Sequence, residues 1–327
     1  MANVLVAGGA GYIGSHMLKC LHLAGYTPIA LDNFSQGHRE AVTAGELIVG
    51  NVGDGALLDR IFSTHEIAAV MQFAGWIQVG ESVTQPGRYY ENNVSATLTL
   101  LNAMVRHKVP RFIFSSTAAI FGGPAYVPID EAHPRAPINP YGHSKLMIEQ
   151  MLQDFDRAYG LRSVCLRYFN AAGADPEGRL GERHDPETHL IPLVLQVASG
   201  RRAEITVFGQ DYATPDGTCI RDYVHICDLC DAHLLALERL LAGGESRQYN
   251  LGNGTGFSVA EVIRAAEKVT GKVIPRSYGA RREGDPPSLV ADSALARREL
   301  GWRPRFDALE TIIAHAWAWE NKLVLSS

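Results

Sequence analysis

No stretch of this 327-residue chain stays apolar over the ~20 residues that a bilayer-spanning helix needs, so no membrane span is expected. Cysteine is scarce. The five present, Cys20, Cys165, Cys219, Cys227 and Cys230, are odd in number and irregular in spacing, which argues against a disulfide framework. Cys227-Asp-Leu-Cys230 is a lone C-x-x-C with no second Cys or His pair placed to complete a zinc site. No metal is therefore expected, and the thiols read as buried groups in a reducing cytosol. Long runs of one charge sign are also missing. The 30 basic and 35 acidic residues are interspersed, giving a net charge of −5. Without a basic stripe, a nucleic-acid partner is not expected, and an anionic substrate would have to be met by a few local arginines. Strand signals begin almost at Met1, which leaves no room for a signal peptide, and a cytoplasmic location is expected. Internal repeats and low-complexity segments are lacking too. A content of 46% hydrophobic and 20% charged residues over this length fits one large α/β domain plus a smaller one.

What is present is organised around Asn3 to His16. Val4-Leu5-Val6-Ala7 is a short apolar run of the kind a fully buried parallel strand shows. It stops at Gly8-Gly9-Ala10-Gly11-Tyr12-Ile13-Gly14. Met17, Leu18, Leu21 and Ala24 then recur at helical spacing until Gly25. Strand, glycine turn and helix form the context that a dinucleotide fingerprint requires. Gly8 allows the tight turn, Gly11 a close approach of backbone to pyrophosphate, and Gly14 the packing of helix on strand. The phosphates would face the free N–H groups of the helix start. Thr27 to Leu31 reads as the second strand, closed by Asp32, 18 positions past Gly14. A carboxylate at that distance suits the adenosine ribose hydroxyls and repels a 2′-phosphate, which favours NAD over NADP.

Strand and helix signals alternate onward. Strands are expected at 46–49, 68–73, 111–116 and 161–169, and helices at 56–63, 92–107 and 141–159. Such alternation predicts a doubly wound parallel sheet, a Rossmann domain over residues 1–170. A smaller α/β substrate-binding domain is expected over 171–327, with a blurred boundary because later strands can return to the first domain. Its opening stretch, 171–189, reads as a long functional loop, followed by a helix at 190–198 and strands at 205–208 and 220–225. Ligands sit at the carboxyl ends of parallel strands, which collects Gly8, Asp32, Asn51, Phe73, Thr117 and Asn170 along one rim.

The chemistry-bearing stretch is Pro140-Tyr141-Gly142-His143-Ser144-Lys145. Tyr141 and Lys145 are four apart at a helix start and share a face. A free phenol is a poor base near neutrality, with a pKa of about 10. A neighbouring ammonium and a positive nicotinamide ring both favour the phenolate. Thr117, just past a strand end, can offer a hydroxyl to the same spot.

These residues carry a resemblance. The chain resembles the extended short-chain dehydrogenase/reductases, and among them the UDP-hexose 4-epimerases. The glycine loop and the Tyr141/Lys145 pair belong to the superfamily. The blocks Arg167-Tyr168-Phe169-Asn170, Arg221-Asp222-Tyr223 and Arg281-Arg282-Glu283-Gly284-Asp285 are more specific to the epimerases. The resemblance implies an NAD-dependent isomerase that interconverts UDP-glucose and UDP-galactose by oxidation at C4, rotation of the 4-keto sugar and re-reduction. It implies that Tyr12, Ile13, Asn33, Phe34, Ser35, Asn51, Val52, Phe73, Ala74, Gly75, Asn92, Tyr168 and Phe169 hold NAD, together with the glycines, Asp32, Thr117, Tyr141 and Lys145. Tyr141 would take the proton of the sugar hydroxyl, helped by Thr117 and Lys145. Asn170, His189, Leu190, Thr206, Phe208, Arg221, Arg282, Asp285 and Leu289 would line the UDP-sugar site.

The chain departs from the family pattern at Asn51, Ile77, His189 and Leu289, where Asp, Lys, Asn and Tyr occur in other members. The second change removes a cationic contact to the cofactor, and the last two border the sugar pocket. A 4,6-dehydratase would need an acidic pair after Thr117, where Ala118-Ala119 stands. Epimerases of N-acetylhexosamine, xylose or glucuronate nucleotides differ only in the pocket, and an inert NAD-binding scaffold would not need Thr117, Tyr141 and Lys145 together. A homodimer is expected, because helices 92–107 and 141–159 carry more apolar residues than one sheet-facing stripe needs, Leu101 and Met104 among them.

Overall fold

The computed structural model describes residues 2–282 and 285–325. Six strands follow the expected order: β1 (Asn3–Ala7), β2 (Thr27–Asp32), β3 (Glu46–Val49), β4 (Ile67–Gln72), β5 (Arg111–Thr117) and β6 (Arg162–Tyr168). A seventh, Arg247–Leu251, comes from the second half of the chain and pairs with β6. The sheet runs Arg247–Leu251, β6, β5, β4, β1, β2, β3. Every pairing in it is parallel. The order reverses between β1 and β4, and a crevice opens at such a point beyond the strand ends.

Alternation along β1 divides the core. Val4 and Val6 pack with Met17, Leu18 and Leu21 of the helix Tyr12–Leu23, and with Leu229, Ala236 and Leu237 of the helix Ile226–Leu241. Leu5 and Ala7 face the other way, toward Leu58, Leu100, Leu101, Met104, Ile148 and Leu152. Both faces of the central strands are therefore covered, and their sequences read as unbroken apolar runs. Glu46–Val49 lies at the edge and is only partly buried. The later part of the chain builds its own core. Helices Leu190–Ala198, Val259–Thr270 and Leu309–Leu325 meet around Val194, Leu195, Val262, Ile263, Ile312 and Ile313.

Four local readings are corrected. The helix expected over 92–107 starts earlier, at Pro86–Tyr89, winds wide as a π-helix over Tyr90–Ser95, and continues as Ala96–Arg106. Its wide turn accommodates the buried Asn93. The Asn93 amide accepts from Trp76 N (2.9 Å) and donates to Trp76 O (3.0 Å) and Ser144 Oγ (3.2 Å). π-turns of this kind cluster at functional sites. The strand expected over 220–225 is two strands, Ile220–Arg221 and Tyr223–His225, in different sheets. Asp222 splits them, because its carboxylate accepts from Asn253 N, Gly254 N and Ala291 N at 2.7–3.0 Å. The loop after Phe169 opens with a short strand, Asn170–Ala172, parallel to Tyr223–His225. Leu101 and Met104, expected to contribute to a subunit interface, are fully buried in the core of the chain. On those two helices the exposed large apolar side chains are Leu98, Met147 and the helix-terminal Tyr159.

All five cysteines are free thiols, and burial pushes Cys227 up to about 12. Among the described residues no helix is long and apolar enough to cross a membrane.

Candidate active site

The glycine turn is fixed by close contacts. Gly8 has φ +83°, and a Cβ there would lie 2.4 Å from Ala74 N, so the ends of β1 and β4 meet with no room for a side chain. A Cβ at Gly14 would lie 2.0 Å from Gly8 O, so the helix sits directly on the turn. Gly11 differs: an added Cβ would meet only Gly8 O, at 3.5 Å, and would project into the open mouth of the turn. Gly11 caps the helix without a side-chain hydrogen bond, so the first N–H groups face outward uncapped. Asp32 sits at the end of β2, buried, with Oδ2 accepting from Ala10 N (2.9 Å) and Oδ1 from Phe34 N (2.8 Å). Each oxygen keeps a further lone pair for a ligand hydroxyl. Asn33 and Asn51 make local turns to Ser35 N (3.0 Å) and Gly53 N (2.7 Å), and Val52 is buried behind Asn51. The mouth is shaped for a diphosphate on a helix N-terminus beside a carboxylate, the fit a dinucleotide requires.

The three candidate catalytic side chains meet next to that mouth. Thr117 is the last residue of β5. Asn139 caps the helix Pro140–Tyr159, accepting from Gly142 N at 2.9 Å, with Pro140 in its first turn. That start places Tyr141 and Lys145 over the ends of β4 and β5. Burial raises the Tyr141 phenol above its ordinary value, and a hydrogen bond with Thr117 draws it down. Lys145 is buried, donates to Ser115 O at 2.8 Å, and lies 5.9 Å from the centre of the Tyr141 ring. Burial lowers it to about 8. Within the chain, burial outweighs the Thr117 hydrogen bond, so the Tyr141 phenol stays above its ordinary value. Gly75 closes the other side, since a Cβ there would stand 3.7 Å from Lys145 Nζ. Phe73 packs on His233 at 4.9 Å, Asn92 donates to Asn93 at 3.1 Å, and the Tyr168 hydroxyl bonds the Ser115 hydroxyl.

The second half supplies a wall of paired charges. Arg221 and Asp285 form an ion pair, and Arg221 also donates to Ile220 O (2.7 Å) and Pro286 O (3.0 Å). Leu289 is in register with Arg221 and packs near Ala118, Phe121 and Phe169, one residue from Thr117. Arg282 lies over the Phe208 ring at 4.2 Å, and Thr206 reaches Ser277 Oγ at 3.2 Å. Asn170 donates to Asp222 O at 2.7 Å. Glu283 and Gly284 lie outside the described residues. His189, expected at the sugar pocket, has its ring committed to Glu182 and Glu187 instead.

Two features escaped the sequence. Asn93 clamps the loop after β4 to the catalytic helix. Under Thr117, Glu149 receives a bidentate Arg167 at 2.9 and 2.6 Å and the Ser116 hydroxyl at 2.6 Å, all buried. A Glu inside a helical stripe of Ile148 and Leu152 was the available signal.

Comparison with known proteins places this geometry. The family model described as "NAD dependent epimerase/dehydratase family" matches residues 4–252. The chain is 54% identical over 319 residues to the UDP-glucose 4-epimerase of Halalkalibacterium halodurans, covering 98% of this chain and 96% of that protein. It is similar to the crystal structure of the UDP-glucose 4-epimerase of Brucella ovis in complex with NAD, with a TM-score of 0.95, 49% identity and coverage of 97% and 98% of the two chains. It also resembles the Stenotrophomonas maltophila UDP-glucose-4-epimerase with bound NAD and formylated UDP-arabinopyranose, at TM-score 0.97, 37% identity and full coverage of both chains.

Proposed function

The chain belongs to the NAD dependent epimerase/dehydratase family, and from that premise we infer that it interconverts UDP-glucose and UDP-galactose with NAD as its cofactor. The observation that carries this reading is Tyr141, hydrogen-bonded to Thr117 and one helical turn from Lys145, beside an uncapped glycine turn. NAD, when bound, supplies a reversible hydride acceptor. The residues do the rest. Tyr141 takes the proton of the sugar 4-hydroxyl and gives it back after the 4-keto sugar has rotated. Thr117 holds that hydroxyl and the phenol in line. Lys145 holds the nicotinamide ribose and favours the phenolate once the ring charge lies beside it. The turn from Gly8 to Gly14 holds the pyrophosphate, and Asp32 and Asn33 the adenosine ribose. Phe34, Ser35, Asn51, Val52, Phe73, Ala74, Gly75, Asn92, Tyr168 and Phe169 complete the cofactor walls.

On the substrate side, Arg221 and Arg282 meet the diphosphate and Asp285 the uridine ribose, because guanidinium groups match phosphate oxygens and a carboxylate matches a diol. Asn170, Leu190, Thr206, Phe208 and Leu289 line the remainder. Residues 1–170 form the NAD-binding part and 171–327 the UDP-sugar part, with Arg247–Leu251 returning to the first sheet. The enzyme acts in the cytoplasm as a homodimer, supported by exposed Leu98 and Met147 on the helices Ala96–Arg106 and Pro140–Tyr159. Leu98→Glu with Met147→Glu should give an active-site-intact monomer by light scattering; an unchanged dimer would refute this interface. The function itself is tested by incubation with UDP-galactose without added NAD. UDP-glucose on the chromatogram is the expected product, and none, even with NAD supplied, overturns the reading.

A further inference from the structure

Away from the residues given catalytic roles, four side chains of the loop before Leu190 converge on one point. Glu182, His184, Glu187 and His189 each present one donor atom, and the four atoms lie within 4.8 Å of one another. Both carboxylates are nearly buried, with side chains 6% and 5% exposed. His189 Nδ1 stands 2.8 Å from Glu182 Oε1 and 3.0 Å from Glu187 Oε1. His184 Nδ1 faces the same two carboxylates, at 3.3 and 3.5 Å. A ring N–H serves one acceptor well, yet each nitrogen here is shared between two carboxylates. The buried His184 Nδ1 makes no hydrogen bond of acceptable geometry at all. Protonated rings pair with the two carboxylates, and a single cation in place of the ring protons would engage the same four donor atoms at once.

We propose that Glu182, His184, Glu187 and His189 bind one divalent transition-metal ion of the zinc class. Two imidazole nitrogens and two carboxylate oxygens suit Zn²⁺ in tetrahedral geometry. Bonds of about 2.0–2.2 Å would bring the donors to about 3.4 Å apart, so the widest pair, now within 4.8 Å, closes by up to about 1.4 Å. The ion neutralises two buried carboxylates, and any ring protons leave to solvent as it binds. The ligands are held from behind. Thr188 N and His189 N donate to Glu187 Oε1 at 2.7 and 2.8 Å, and Trp319 Nε1 donates to Glu182 O at 2.9 Å. His184 packs edge-on against Tyr12 at 6.5 Å, whose hydroxyl donates to Gly173 O at 2.7 Å. The ion therefore ties the loop to the first helix, to the helix that His189 caps, and to the C-terminal helix. Its role is to hold the fold, and the proposal stands apart from the epimerase reading.

The test uses the full-length protein stripped with a chelator and titrated with Co²⁺, then Zn²⁺. One Co²⁺ per chain is expected, with visible d–d bands, no thiolate charge-transfer band, and displacement by Zn²⁺. Zn²⁺ should also raise Tm. His184→Gln should abolish the bands, with circular dichroism reporting that the variant is folded, while Cys227→Ser with Cys230→Ser should keep them. Glu182→Gln serves if His184→Gln does not fold. Absence of saturable one-to-one binding by the wild type overturns the proposal, and so does a signal that survives loss of the ligands or disappears with the cysteines.

Discussion

The two sides of the crevice are built on different physics. The rim at the ends of β1, β4 and β5 is fixed by steric contact and burial: a Cβ at Gly14 would sit 2.0 Å from Gly8 O, and Lys145 is buried against Ser115 O. The opposite wall is held by groups that satisfy each other, Arg221 with Asp285 and Arg282 over Phe208. A steric cradle is preorganised and presents the same shape with or without a ligand. A wall held by an ion pair and a cation–ring contact must exchange internal partners for ligand atoms, so binding there competes with contacts already made. On the proposed reading, the rim therefore suits a cofactor that stays, and the wall a substrate that comes and goes.

The largest break in this comparison comes from the rim. Tyr141→Phe should lower turnover by at least about 10²-fold, the worth of a positioned general base, and leave NAD content unchanged. Turnover near that of the wild type, with NAD read spectrophotometrically after denaturation, would remove Tyr141 from the chemistry. The wall should respond in binding rather than chemistry. Arg221→Ala deletes the charged hydrogen bond to Asp285, worth about 1.5–3 kcal/mol. KM for the UDP-sugar should then rise roughly 10- to 100-fold with a smaller change in kcat. A fall in kcat at constant KM would place Arg221 in the reacting rim and break the division.

The difference between the two sides also decided what the sequence revealed. The motifs that shape the rim are each made by neighbours in the chain. Gly8 to Gly14, Asp32 and the Tyr141/Lys145 spacing declare themselves, because the turn and the helical face impose them locally. The parallel order of β1 to β6 followed from strand–helix alternation in the same way. The wall is made by residues far apart. Arg221 meets Asp285 across 64 positions, and Arg247–Leu251 returns to β6; the first pairing came only through the family resemblance, and the return of a later strand was expected without saying which. Asn93 shows a third case. Its neighbours gave a plain helical period, but a buried amide bound to Trp76 forced a π-turn that periodicity cannot express.

Lys145 sharpens the comparison by showing what the rim costs. Its value falls from the 10.5 of a free lysine to about 8 through burial. Below about pH 8 the lysine is protonated in both folded and unfolded chains, and the full penalty applies. Between about pH 8 and 10.5 only the unfolded chain holds the proton, so this group makes stability rise with pH. Lys145→Met should remove that rise and raise stability at pH 7 by on the order of 1–3 kcal/mol once the lost bond to Ser115 O is counted, seen as a higher Tm. An equal or lower Tm at pH 7, with the same slope, would show that Lys145 carries no desolvation cost in the fold.

The smallest effect, and the finest test of the wall, is at Leu289. Its strand is locked in register with Arg221, and its side chain packs with Ala118, Phe121 and Phe169 around the residue after Thr117. On the proposed reading, a substituent on the sugar ring lies against this side chain. The family resemblance sets a Tyr at this position in some members, and if Leu289 replaces it in the sugar pocket, the smaller side chain leaves room for a 2-acetamido group. The wild type should convert UDP-N-acetylglucosamine at a measurable rate. Leu289→Tyr should lower that rate while changing conversion of UDP-galactose little, because added bulk rejects only the larger sugar. A pocket discriminates a change of this size by about 1–3 kcal/mol, roughly 10- to 200-fold in the ratio of kcat/KM. The measurement is that ratio for the two sugars in wild type and variant. If the ratio stays the same, the side chain at 289 does not reach the sugar, and substrate range is set elsewhere on the wall.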